Sequence, residues 1–274
     1  MPQNTASALL ETAGSGDTER LLALVQSGAD PNTANEAGRT PIFFAAFHGH
    51  TACVRALAAR GADASAADHG GRTPIFIAAQ NGHAETVRAL AACGADACTP
   101  DRGGFTPVYM AAQNGHAACV RALEACDADA STASNDGSTP IYIAAQQGHT
   151  DCVRALAACG VNTRAAAKHG GTPVWIAAFN GHAETVRALL RECRADPSTA
   201  NVNGFTPVYV AAQNGHTACV RALAESGADV NTPNSDGATP IYAAAYLGRT
   251  ETVLALAACG ADAGAADKEG KTPL

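Results

Sequence analysis

The sequence predicts an all-α solenoid of stacked helix-turn-helix units with projecting β-turn loops. Three observations predict it. A Thr-Pro pair recurs at Thr40, Thr73, Thr106, Thr139, Thr172, Thr206, Thr239 and Thr272, every 33 residues apart from a single interval of 34. A fixed period of that size marks a repeat architecture. Apolar residues form 47% of the chain but aromatic ones only 5%, so the apolar content is mainly alanine, a strong helix former of small volume. Glycine-rich and Asp-rich stretches then punctuate the units at fixed places.

Each element of the unit has a mechanical reason. The threonine caps the first helix, and the proline takes its first position, where a missing N–H costs nothing. Helix one therefore starts at Thr-Pro and runs about two turns, as over 75–80. Gly-His follows, at Gly49, Gly82, Gly115, Gly148, Gly181 and Gly215, with Gly248-Arg249 as the variant. The glycine ends helix one because it reaches positive φ freely. Val-Arg-Ala-Leu carries helix two from Val54, Val87, Val120, Val153, Val186 and Val220, and becomes Val-Leu-Ala-Leu from Val253. Gly-Ala-Asp closes most units, as at Gly61, Gly94, Gly227 and Gly260, and the stretch after it reads as a projecting turn. The unit of 34 residues holds its extra residue in 189–196, where Arg194 replaces the usual glycine; this lengthens helix two or widens its exit turn. The expected organisation is a single domain over 1–274, with an N-terminal capping repeat at 1–34, seven full repeats at 35–266 and a truncated repeat at 267–274. The cap is read from Leu9, Leu10, Leu21, Leu22 and Leu24 beside polar Glu11, Asp17, Glu19, Arg20 and Gln26. The last helix pair shows no such polar redesign, so the sequence predicts a fragment of a longer protein or self-association through that end.

The pattern resembles the ankyrin repeat, whose motif runs Thr-Pro-Leu-His-Leu-Ala-Ala, then Gly-His, then Gly-Ala-Asp. Here it stands as Thr73-Pro74-Ile75-Phe76-Ile77-Ala78-Ala79, with Gly82-His83 and Gly94-Ala95-Asp96. The resemblance covers essentially the whole chain and departs from the motif at one position. The family's histidine in that first stretch, which hydrogen-bonds between neighbouring repeats, is Phe43, Phe76, Tyr109, Tyr142, Trp175, Tyr209 and Tyr242. Those rings read either as a stack sealing repeat to repeat or as a continuous ladder open to a ligand.

The residue types of catalysis are present, but not in catalytic patterns. His50, His83, His116, His149, His182 and His216 share one repeat position. Neighbouring repeats lie about one helix diameter, roughly 10 Å, apart, too far for joint coordination at about 2 Å. These histidines read as turn-stabilising residues, and no metal or cofactor is expected. Cys53, Cys119, Cys152 and Cys219 alternate with Thr86, Thr185 and Thr252, a site for a small buried side chain. Without a Cys-x-x-Cys pair, the ten cysteines read as reduced thiols of an intracellular protein, cytoplasmic or nuclear. There is no phosphate-binding loop and no nucleophile elbow. The chain reads as a non-enzyme with no small-molecule substrate. It has no run of about 18 apolar residues, so no membrane insertion is expected.

The formal charge of −7 opposes wholesale nucleic-acid binding. A local column of Arg55, Arg88, Arg121, Arg154, Arg187 and Arg221 reads either as a basic ridge or as a solvated face with Glu85–Arg88 and Glu184–Arg187 pairs; the acidity of the chain favours the second. The resemblance implies instead a protein partner in a concave groove lined by turn tips and the ends of the first helices. Variation between units concentrates there: Arg39, Arg72, Phe105 and Phe205 before the threonine, Arg102 and Lys168 at turn tips. At the helix-one ends stand Phe47, His48, Gln80, Asn81, Gln113, Asn114, Gln146, Phe179, Asn180, Gln213, Tyr246 and Leu247. Phe105, Phe179 and Phe205 are expected to be dispensable to the scaffold and to act as anchors, since aromatics and arginine dominate interface energetics.

Overall fold

The computed structural model describes residues 2–273, with side chains from Thr5 onward. Met1 of the capping repeat and Leu274 of the repeat begun at 267 lie outside the described residues. The described chain forms sixteen helices and no strand, and it divides into two compact units, 1–135 and 136–274. The first holds α1 (Pro2–Ser15), α2 (Thr18–Gln26), α3 (Pro41–Phe47), α4 (Thr51–Ala58), α5 (Pro74–Gln80), α6 (Ala84–Ala92), α7 (Pro107–Gln113) and α8 (Ala117–Glu124). The second holds α9 (Pro140–Gln147), α10 (Thr150–Ala158), α11 (Pro173–Phe179), α12 (Ala183–Arg191), α13 (Pro207–Gln213), α14 (Thr217–Glu225), α15 (Pro240–Tyr246) and α16 (Thr250–Ala258).

Within each unit the first helices of successive repeats pack in one row and the second helices in another. The sequence explains the contact. Ile42, Ile75 and Val108 in the first unit, and Ile141, Val174, Val208 and Ile241 in the second, are no more than 1% exposed. Alanines such as Ala45, Ala78, Ala111, Ala144 and Ala177 are sealed at 0% and let the helices approach closely. From helix two, Val54, Leu57, Val87, Leu90, Val120 and Leu123 complete the first unit's core. Each such leucine contributes about 1.5–3 kcal/mol of burial.

The expected caps are present. The hydroxyl of Thr73 accepts the Phe76 N–H at 3.3 Å, and Thr106, Thr139, Thr172, Thr206 and Thr239 do the same for the residue three further on. Thr40 is the exception, without a side-chain cap bond. At the N-terminus Glu11, Asp17, Glu19, Arg20 and Gln26 are all exposed while Leu9 and Leu21 are buried, the division a capping pair needs.

The projecting loops are closed by an Asn or Asp whose Oδ1 accepts two backbone N–H groups, two and four residues on. Asn35, Asp68, Asp101, Asn201, Asn234 and Asp267 all do this. Two loops differ: Ser134 and Ala167 stand at the same position, and Ala167 has no polar side chain to do it.

The insertion is resolved in favour of the exit turn. Helix α12 has nine residues, like α6, α10, α14 and α16, so it is not lengthened. Elsewhere the closing bond spans five residues, as from Ala95 N–H to Leu90 O; here it spans six, from Ala195 N–H to Leu189 O. Arg194 takes the left-handed conformation (φ 51°) that glycine supplies in most other repeats, and Asp127 (φ 59°) does likewise.

Candidate protein-interaction face

Each repeat is tied to the one before it by side chains that reach backwards. His83 lies at the start of α6 without capping its own helix; its Nε2 meets the Phe47 carbonyl at 3.0 Å. A carbonyl only accepts, so Nε2 carries the proton. His50, His182 and His216 make the same bond to Gly14, Gln146 and Phe179. Arg249, the variant, donates Nε to Gln213 O. The rings sit over glycines of the preceding repeat: a Cβ on Gly49 would come within 2.6 Å of His83 Nδ1. These histidines therefore do more than steady their own turns; they tie each repeat to the one before it.

The amides beside them act the same way. Asn81, Asn114, Asn180 and Asn214 donate Nδ2 to Phe47, Gln80, Gln146 and Phe179 carbonyls at 3.0–3.2 Å. Sequence reasoning placed Asn81, Asn114 and Asn180 on the partner face; in the structure one donor of each is committed to holding repeats together.

The ring column settles its own alternative. Phe43, Phe76, Tyr109, Tyr142, Trp175 and Tyr209 are at most 7% exposed, which excludes a ladder open to a ligand at those positions. Their polar atoms reach the next repeat's loop: Trp175 Nε1 donates to Phe205 O at 2.9 Å, Tyr142 OH meets His169 Nε2 at 3.0 Å, and Asn234 donates to Tyr209 OH at 3.3 Å.

A second link between repeats was missed in the sequence. Thr86, Thr185 and Thr252, buried to 1%, face Thr51, Thr150 and Thr217 of the preceding repeat, with hydroxyl oxygens 2.8 Å apart. Where the preceding residue is Ala84 or Ala183, the facing residue is Cys119 or Cys219. A buried hydroxyl needs a partner and a thiol scarcely does. The signal was present as covariation between positions 35 residues apart, or 36 across the longer unit. Burial pushes the Cys119 and Cys219 thiols up to about 11, so they are inert at neutral pH.

None of the remaining candidates is buried, and they fall into three environments. Phe47, Phe179, Tyr246 and Leu247 at the ends of first helices are 42%, 40%, 80% and 43% exposed. Phe179 stacks on Trp175 (5.4 Å, 12°) and Tyr246 on Tyr242 (6.4 Å, 4°), so both rings are held in place from below. His48, Arg102 and Lys168 are also exposed. Phe105 and Phe205 are half-buried and packed on Tyr109 and Tyr209. Such pairs contribute about 0.5–1.5 kcal/mol, a packing that Phe179 and Tyr246 share; Phe105 and Phe205 differ from those two in being less exposed. Gln80, Gln113, Gln146 and Gln213 are half-buried, and Gln80 Oε1 finds no hydrogen-bond partner.

Arg39 and Arg72 share Asp68. The Arg72 guanidinium donates Nη2 and Nε to Asp68 Oδ2 at 2.6 and 3.0 Å, and Arg39 Nε lies 3.6 Å from the same oxygen. Burial pushes the Asp68 carboxyl up. Hydrogen bonds from Arg72 and the Gly70 N–H outweigh that and hold it below the usual carboxylate range.

On the second helices, Arg55 and Arg88 both pair with Glu85, and Arg154 pairs with Asp151, Glu184 and Glu192. Those arginines are already partnered, which opposes the nucleic-acid reading of the column. Among the described residues no group of three or more His, Cys, Asp or Glu side chains could hold a metal ion, and no helix is long and apolar enough to cross a membrane.

A family profile described as ankyrin repeats (3 copies) matches the chain over residues 9–101, 61–134, 93–167, 158–234 and 174–267. No curated protein matches the chain.

Proposed function

The chain belongs to the ankyrin-repeat family, and we propose that it is an interaction scaffold that holds a protein partner on the faces that turn tips and first-helix ends make in each of its two units. Ankyrin repeats generally mediate protein–protein interaction. The observation that carries the reading is where the exposed large apolar side chains fall. Among the described residues, Phe47, Phe179, Tyr246 and Leu247 sit at the ends of the first helices and Val202 at a turn tip, while Leu254 on the second helix α16 is the exception; the Phe179 and Tyr246 rings are stacked on a partner that fixes them. Holding an aromatic ring rigid in solvent lowers the entropy lost on binding, and such rings are the commonest interface anchors. The scaffold has no catalytic role in this reading; its histidines serve as links between repeats. Its cysteines, none of them in a disulfide, support an intracellular setting.

The test is affinity capture with the wild-type chain and with a Phe47→Ala/Phe179→Ala/Tyr246→Ala form, identifying the retained proteins. The triple variant keeps its helicity and loses the specific partner. Identical retention by both forms sinks the reading.

A further inference from the structure

We infer that the turn-tip face of the first unit, centred on Arg39, Arg72 and Arg102, receives an acidic segment of the protein partner through that segment's side-chain carboxylates. The inference rests on the scaffold reading and adds the chemistry of the occupant.

Two guanidinium groups from successive repeats address one carboxylate oxygen, Asp68 Oδ2. The Asp68 side chain is 1% exposed, whereas Arg39 and Arg72 remain 37% and 32% exposed. The acid is thus withdrawn from solvent and both cations keep a solvent-facing edge, so this trio by itself carries one positive charge. Arg39 Nε is buried without a hydrogen-bond acceptor, and the guanidinium is held over the Phe43 ring at 5.6 Å.

Arg102 extends the cluster by one repeat. Its N–H donates to Gly70 O at 3.1 Å, and its stem lies along Gly71, in the same turn that carries Arg72. Arg102 is exposed, with no acid in salt-bridge range among the described residues. Two further acids stand at these turns, Asp101, whose Oδ1 is held by the Gly103 and Phe105 N–H groups, and exposed Glu36, so the formal charges balance; what presents the cations is the burial of Asp68 beneath guanidinium edges that stay in solvent. The exposed His69 ring lies over Gly38, between the Arg39 and Arg72 turns.

Planar guanidinium forks match carboxylates in bidentate geometry. Turn-to-turn spacing of about 10 Å and a rise of about 3.3 Å per extended residue let roughly six residues span the three arginines. Alternate side chains of such a segment face the same way. Because the chain as a whole is negative, the attraction is local and weakens with salt.

Fluorescein-labelled octaglutamate, octaglutamine and a glycine-based phosphoserine peptide are titrated with the full chain, read by fluorescence anisotropy at low and physiological salt. Octaglutamate binds and octaglutamine does not. An Arg39→Gln/Arg102→Gln form, which leaves the Arg72–Asp68 pair intact, binds octaglutamate about tenfold or more weakly, the size of one lost charge-assisted hydrogen bond. A Lys168→Gln/Lys268→Gln form, with the same change of net charge at turn tips of the other unit, stays within about twofold. Equal loss in both double variants, no octaglutamate binding, or binding of the phosphoserine peptide alone overturns the inference. The scaffold reading fails separately, through the capture test with Phe47, Phe179 and Tyr246.

Discussion

Replacing Ala167 with asparagine should stabilise the second unit. In six of the sister loops an Asn or Asp at this position closes the turn through two backbone N–H groups, as Asn201 does for Asn203 and Phe205 at 3.0 Å each. At Ala167 the corresponding His169 and Gly171 N–H groups find no acceptor among the described residues. There is room for the larger side chain, since Ala167 is 6% exposed and Asn234, its counterpart, 9%. Asn234 also donates to Tyr209 OH, and an asparagine at 167 would stand in the same relation to Tyr142. Two or three hydrogen bonds at about 1 kcal/mol each, less about 1 kcal/mol of side-chain ordering, give a net gain of about 1–2 kcal/mol. The assay is urea unfolding followed by circular dichroism, with amide exchange at His169 and Gly171 to localise the effect, because long repeat arrays need not unfold as one state. Asn201→Ala is the mirror experiment and should cost about as much. If Asn201→Ala is destabilising while Ala167→Asn is neutral and leaves exchange at 169 and 171 unchanged, the loop at 167 does not share its sisters' geometry and the reasoning fails.

Arg194→Gly and Asp127→Gly should each raise the melting temperature. They remove a left-handed side chain worth about 1 kcal/mol or more of strain, offset in part by glycine's larger unfolded-state entropy; no change would show that the exit turns relax around those residues. Thr185→Ala should cost about 1–2 kcal/mol by stranding the Thr150 hydroxyl. Thr150→Ala/Thr185→Cys, which copies the Ala–Cys pairing, should recover most of that loss, and a double-mutant cycle without coupling would refute the pairing. Folded Cys119 and Cys219 keep their protons up to about 11, above the ordinary thiol value of 9.0. Their contribution to stability is complete below pH 9.0 and is lost as pH rises towards about 11. Maleimide should label exposed Cys93, Cys98 and Cys259 first and reach Cys119 and Cys219 only on unfolding; early labelling of the buried pair would contradict their burial.

The fold was legible because each repeat states its boundaries in residues with one physical job. Thr73-Pro74 reads as a cap and is one, down to the bond from Phe76 N–H. What periodicity could not give was direction. The shared position of the histidines is visible in the sequence; that His83 reaches back 36 residues to Phe47 is not. The same blindness affected the candidate face. Asn81 and Asn180 look free because they stand beside variable residues, yet their carbonyl partners lie in the preceding repeat. Phe105 and Phe179 are the same residue type at variable positions, and only the three-dimensional neighbourhood shows one settled on Tyr109 and the other protruding. The shared carboxylate of Arg39 and Arg72 was similarly hidden, since ion pairs across repeats leave no mark within a single unit.

The threonine and cysteine pairing limits how this chain could be rearranged. A duplication or deletion in 33-residue steps keeps every histidine above a glycine and every asparagine opposite a carbonyl, so such events look harmless. The pairing at the start of helix two is less forgiving, because it depends on which two repeats meet. Removing the repeat that contains Thr217 and Cys219 would bring Ala183 opposite Thr252, a hydroxyl now only 1% exposed, facing a methyl group. The opposite junction, threonine before cysteine, already occurs at Thr18 and Cys53, whose oxygen and sulfur lie 3.3 Å apart. Repeats of this chain are therefore not interchangeable beads: recombination between them has a syntax, in which alanine may precede cysteine but not threonine.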